Sequence, residues 1–76
     1  MKDKIYKYCE NFAKNIKNER LALGLTQKEV AEKIDIKTQS YQAYEKNIAM
    51  PNLINLLKLS ELFNVSLDDL FEIRTF

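Results

Sequence analysis

Thr38, Gln39 and Gln42 are the side chains of this 76-residue chain best suited to work outside a core. Hydroxyl and amide groups on the exposed side of a helix are short, uncharged donors and acceptors. They suit the reading of base edges in duplex DNA, where each base pair presents its own hydrogen-bond pattern. In the same segment Tyr41 and Tyr44, with Ile36 in the turn before them, form an apolar side that would face inward. Lys37, Thr38, Gln39, Gln42, Ala43 and Lys46 are then left on the outer face. An ordinary solvated helix face has a similar composition, so the elements around these residues must decide what they do.

Other chemistries find little support. The chain has no histidine and a single cysteine, Cys9. No internal disulfide can form, and a catalytic thiol would lack its histidine base. Cys9 reads as a small apolar residue on the buried side of the first helix. There is no glycine-rich phosphate loop and no metal-ligand spacing. The adjacent carboxylates Asp68 and Asp69 fit the positive end of a helix. The expectation is a protein without catalytic residues, cofactor or metal.

The elements that must position the three polar side chains are helical. Gly24 and Pro51 are the only glycine and proline, and no alternating strand pattern occurs. The first helix is expected from about Asp3 or Lys4 to Leu23. Its buried face carries Ile5, Cys9, Phe12, Ala13, Ile16 and Leu23, with Arg20 on the same stripe, and Gly24 stops it. Thr26 and Glu29 make a capping box that opens a second helix, about Gln27 to Ile34, with Val30, Ala31 and Ile34 facing inward. A third helix follows over about Thr38 to Lys46, ended by Asn47. Asn52 caps a fourth, patterned by Leu53, Leu56, Leu57, Leu59, Ser60 and Phe63 and ended by Asn64. Ser66 caps a short fifth helix from Leu67 to about Glu72. The fold class expected is all-α: five helices in one domain, residues 1–76, with a possible tail over 73–76.

Apolar residues are 46% and charged residues 30% of the chain, as in ordinary globular proteins. No apolar run approaches the roughly 18 residues of a membrane span, and no signal-peptide core follows the N-terminus, so a cytoplasmic location is expected. The net charge is only +1. Residues 1–46 hold ten Lys or Arg against seven Asp or Glu, a balance of +3, and residues 47–76 hold two against four, a balance of −2. The positive part coincides with the helix pair around Gln27 and Gln39.

The series Arg20…Gly24-Leu25-Thr26-Gln27-x-x-Val30-Ala31, Tyr44-Glu45, Pro51 and Leu67-x-x-Leu70 resembles the Cro/repressor family of helix-turn-helix regulators, also called XRE-like. The resemblance runs from about Phe12 to Phe71. It implies a five-helix, lambda-repressor-like fold in which helices two and three form the motif, helix three lying in the major groove and helix two crossing the phosphate backbone.

By the same resemblance, Gln27 matches a glutamine that anchors a phosphate at the start of helix two, and Thr38, Gln39, Gln42 and Ala43 match base-reading positions. Gln39 stands out because its amide can donate and accept at once, as the adenine edge requires. Ala43 offers apolar contact only. Lys28, Lys37, Lys46 and Asn47 complete the expected DNA-facing set. Arg20 and Glu45 match positions that often form an ion pair behind the reading helix. The chain departs from the family's pattern at three points. Asp35 and Asn47 replace common glycines, and Lys37 replaces a Ser or Thr cap. Thr38 is then expected to cap in its place, shortening the helix and shifting which side chains reach the bases.

These readings imply a transcriptional regulator, a repressor on a palindromic operator in double-stranded DNA, acting as a homodimer. The 76 residues leave no room for a separate dimerisation domain, which puts the contact on Leu67, Leu70, Phe71, Ile73 and Phe76, unless Phe71 and Phe76 fold back on their own core. The alternative is a protein-interaction module with the same fold, such as an antitoxin or an antirepressor partner, which the near-neutral charge favours.

Overall fold

The computed structural model describes residues 2–73, with side chains from Lys4 to Ile73. These residues form five helices, α1 (Lys2–Ala22), α2 (Gln27–Lys33), α3 (Thr38–Glu45), α4 (Leu53–Phe63) and α5 (Leu67–Phe71). The Cα radius of gyration is 11.9 Å. No helix among the described residues is long and apolar enough to cross a membrane.

Local chemistry sets where each helix starts. The Thr26 hydroxyl accepts from the Glu29 amide at 3.0 Å, while the Glu29 carboxylate accepts from the Thr26 amide at 2.8 Å. The bond from the Thr26 amide is the main cause holding the Glu29 carboxyl below its usual range. Asn52 and Ser66 cap α4 and α5 by accepting from the amides of Asn55 and Asp69. At α3 the cap position is Lys37, with no side-chain bond, and Thr38 is the first helical residue. The expected capping by Thr38 is therefore corrected, and α3 keeps its first turn.

All five helices end in one geometry. Gly24, Asp35, Asn47, Asn64 and Glu72 take φ between 56° and 70°. Each donates its N–H to the carbonyl three residues back, and the next residue donates to the carbonyl five back, as in Gly24 to Leu21 (3.0 Å) and Leu25 to Arg20 (3.1 Å). This double closure satisfies carbonyls that a helix end would leave unpaired. The following residue is apolar each time: Leu25, Ile36, Ile48, Val65 and Ile73. Leu25, Ile36 and Val65 pack against the core, whereas Ile48 is exposed.

The core joins Phe12 and Ile16 of α1 to Val30, Ala31, Ile34, Tyr41, Tyr44, Leu59, Phe63 and Leu70. Helix α1 packs on α3, α4 and α5, and α2 packs on α3. Three residues expected inside lie elsewhere. Ile5 is 59% and Leu23 54% exposed, and Cys9 is only half-buried. A 21-residue helix is about 31 Å long and outruns the short helices that cover its middle. Leu53 and Leu57 are also exposed, because α4 is apolar on more sides than the one it buries.

The apolar residues of α5 are used within the monomer. Leu70 is completely buried, Leu67 packs against the core, and the Phe71 ring stacks on Phe12 at 4.7 Å and 17°. Leu70 is thereby unavailable as a contact with a second copy, whereas Leu67 and Phe71 are only partly buried. Ile73 is half-buried. Phe76 lies outside the described residues.

Candidate nucleic-acid interface

Helix α3 is oriented by what it buries. Tyr41 and Tyr44 are inside, their rings edge to face at 6.3 Å, and the Tyr44 hydroxyl accepts from the Asn55 amide at 3.3 Å. Ala31, fully buried with only a methyl to accommodate, lets α2 and α3 approach closely. The opposite side of α3 is then fixed by helical geometry. Gln39 is exposed there, and Thr38, Gln42 and Ala43 are half-exposed. Lys28, Lys37, Lys46 and Asn47 are exposed around them.

A charged network holds α3 from behind. The Arg20 guanidinium donates through Nε to Glu45 Oε2 at 2.7 Å and through Nη2 to Oε1 at 3.1 Å. Its Nη1 donates to the Leu25 carbonyl at 2.9 Å, tying the α1–α2 turn into the network. Gln27 Nε2 also donates to Glu45 Oε1, at 3.0 Å. The two charged side chains are 11% and 4% exposed, so this fork-to-fork pair is shielded from water and salt. Burial acts to raise the Glu45 carboxyl, but the bonds from Arg20, with Tyr41 and Gln27 alongside, outweigh it and leave the group below its usual range. The hydrogen bond to Glu45 likewise raises Arg20. The enclosed Tyr41 hydroxyl has no partner in good hydrogen-bond geometry. Burial, then the neighbouring Glu45 carboxylate, pushes it far above the tyrosine range.

The sequence motif thus brings Thr38, Gln39, Gln42 and Ala43 onto one side of α3. Gln27, expected at a phosphate, has one amide hydrogen engaged by Glu45 and a second free to donate. Sequence reasoning missed two further groups. Lys58 Nζ donates to the Ile34 carbonyl at 3.1 Å and so fastens α4 to the turn of the motif. Asn11 and Asn15 donate to the carbonyls of Phe71 and Leu70, at 3.3 and 2.8 Å, and fasten α1 to α5. Their signal was two polar residues four apart beside the apolar Phe12 and Ile16.

The sequence is similar to those of known proteins. The family described as Helix-turn-helix matches residues 16–70. The chain is 43% identical over 58 residues to the HTH-type transcriptional regulator ImmR of Bacillus subtilis, covering 76% of this chain and 46% of that protein. It is 36% identical over 53 residues to the cryptic phage CTXphi transcriptional repressor RstR of Vibrio cholerae, covering 70% and 47%. A third relative, the uncharacterized HTH-type transcriptional regulator YqaE of Bacillus subtilis, is 36% identical over 61 residues, covering 80% and 53%. The chain spans about half the length of these curated relatives. No solved structure matches it. With the motif spanned by α2 and α3, the chain belongs to the Cro/repressor-type, XRE-like family of helix-turn-helix DNA-binding regulators.

Proposed function

We propose that the chain binds a specific duplex DNA site and represses transcription there, with α3 in the major groove and α2 across the backbone. The observation that carries this reading is the division of α3 into two sides. Tyr41 and Tyr44 are committed to the core, while Gln39, with Thr38, Gln42 and Ala43, faces outward on a helix braced by Arg20 and Glu45. A braced helix holds base-reading groups in place before DNA arrives, which reduces the ordering cost of binding. Gln27, Lys28, Lys37, Lys46 and Asn47 donate to phosphates and set the register, while Gln39 supplies the principal base contact. The names of ImmR and RstR, a regulator and a repressor, support the same role.

The finer reading is a homodimer on a two-fold operator, with two copies of α3 about 34 Å apart, one helical turn of DNA. Its contact surface lies away from the buried Leu70. Selection of bound duplexes from a random pool tests the whole reading. The expected result is an enriched, roughly palindromic sequence. Gln39→Ala should then lose discrimination at one or two base positions per half-site, by about 1–3 kcal/mol each. No enrichment would remove specific DNA binding, an enriched site with no symmetry would remove the dimer, and unchanged discrimination would remove Gln39 as a reader.

A further inference from the structure

Resting on that DNA-binding reading, we infer that Lys17 of α1 is an additional phosphate contact, acting with Gln27 and Lys46 around a single cleft. The cleft, about 660 Å³, opens where the end of α1, the start of α2 and the end of α3 meet, and Lys17, Arg20, Gln27, Glu45 and Lys46 help to line it. Its charge balance is the central point. Glu45 is the one carboxylate in this lining, and it is enclosed and engaged by both Arg20 and Gln27. Arg20 and Glu45 cancel each other, so the charge presented outward is that of Lys17 and Lys46. Both are exposed, and neither has an ion-pair partner among the described residues.

Lys17 precedes Arg20 by three residues, which puts both on neighbouring positions of one helix face. Lys14, a further turn back, does not line the cleft. Two ammonium groups and the free amide hydrogen of Gln27 around one opening fit a monoanion with several acceptor oxygens, as a DNA phosphodiester is. Its place, next to the end of a helix that reads the groove, is where a backbone strand has to pass.

The test uses the intact chain and a labelled duplex enriched from the random pool, with the apparent affinity measured across a salt series. Lys17→Gln should make the slope of log affinity against log salt shallower by about 0.9 for each bound protomer, or about 1.8 for a dimer on a two-fold duplex. Discrimination between the enriched duplex and a scrambled one should stay as in the wild type. Lys17→Arg should restore the slope, and Lys14→Gln should leave it unchanged. A wild-type slope in Lys17→Gln, an equal loss in Lys14→Gln, or altered discrimination would overturn the inference while leaving the DNA-binding reading standing. A wild-type chain that enriches no duplex would overturn both. Helical content measured by circular dichroism separates an unfolded variant from one that has lost a contact, and Lys17→Ala, with the same shallower slope expected, supplies the answer if Lys17→Gln does not fold.

Discussion

The two halves of α1 are fastened by different chemistry. Toward its C-terminus, Arg20 joins α3 through a shielded ion pair that also holds Gln27 and the Leu25 carbonyl. Toward its middle, Asn11 and Asn15 join α5 through neutral amides that donate to its last carbonyls, and Asn15 adds a bond to Glu72 at 3.0 Å. The amide tie is a set of separate bonds, each of which can be lost alone. The charged tie is one object, because a single carboxylate serves two partners and each charge is tolerated in its site only through the other. That object stands directly behind the helix proposed to read DNA, whereas the amide tie stands at the far side of the core.

The sharpest way to break this comparison is Glu45→Ala, which strands a guanidinium in an enclosed site. It should cost about 3–5 kcal/mol in urea unfolding. Replacing both partners together, Arg20→Met with Glu45→Leu, should cost less than either single change, because no uncompensated charge remains. Equal or greater loss in the double variant would mean that the pair stabilises the fold on its own account.

Acid should separate the two ties next. The Glu45 carboxyl sits below its usual range in the folded chain, while an unfolded glutamate titrates near about 4.3. Its stabilising contribution is therefore complete above about pH 4.3 and disappears as the pH falls through the lower folded value. Unfolding followed from pH 7 down to pH 3 should show less loss of stability in the double variant than in the wild type. Asn15→Ala should keep the wild-type slope. At neutral pH that variant should cost about 1–2 kcal/mol, the usual worth of one part-buried hydrogen bond with a weaker exposed one beside it.

Both ties show where sequence reasoning reaches and where it stops. The five helices, their order and most of their ends follow from strong local signals: the Thr26–Glu29 box, the Asn52 and Ser66 caps, and Gly24, Asn47 and Asn64 at the stops. The Arg20–Glu45 pair came only from the family pattern, because nothing local links residues 25 apart. The link between Gln27 and Glu45 was invisible for the same reason. Periodicity overstated α1, since a stripe shows which side of a helix is apolar and not whether anything covers it, as Ile5 makes plain. Leu70 was misplaced on an outer surface because short apolar helices in small domains contribute to the domain's own core, as Leu70 and the stacked Phe71 do.

The smallest expected effect concerns the turn between α2 and α3. Asp35 holds φ at 60° there, a backbone that costs a side-chain-bearing residue roughly 1–2 kcal/mol. Asp35→Gly should stabilise the fold by about 0.5–1 kcal/mol, after the greater freedom of glycine in the unfolded chain is subtracted. A midpoint shift of that size in urea would show it. A loss of stability would mean that the aspartate makes a compensating local interaction.

The shared form of the helix ends makes each stopping residue a ruler. Asn47 sets how far the proposed reading helix runs, independently of anything the helix touches. Transferring that asparagine one place downstream would lengthen α3 by a single residue and turn the exit of the chain by about 100°. A fold punctuated in this way can retune where its chain leaves a helix by moving one letter, with no redesign of the interior.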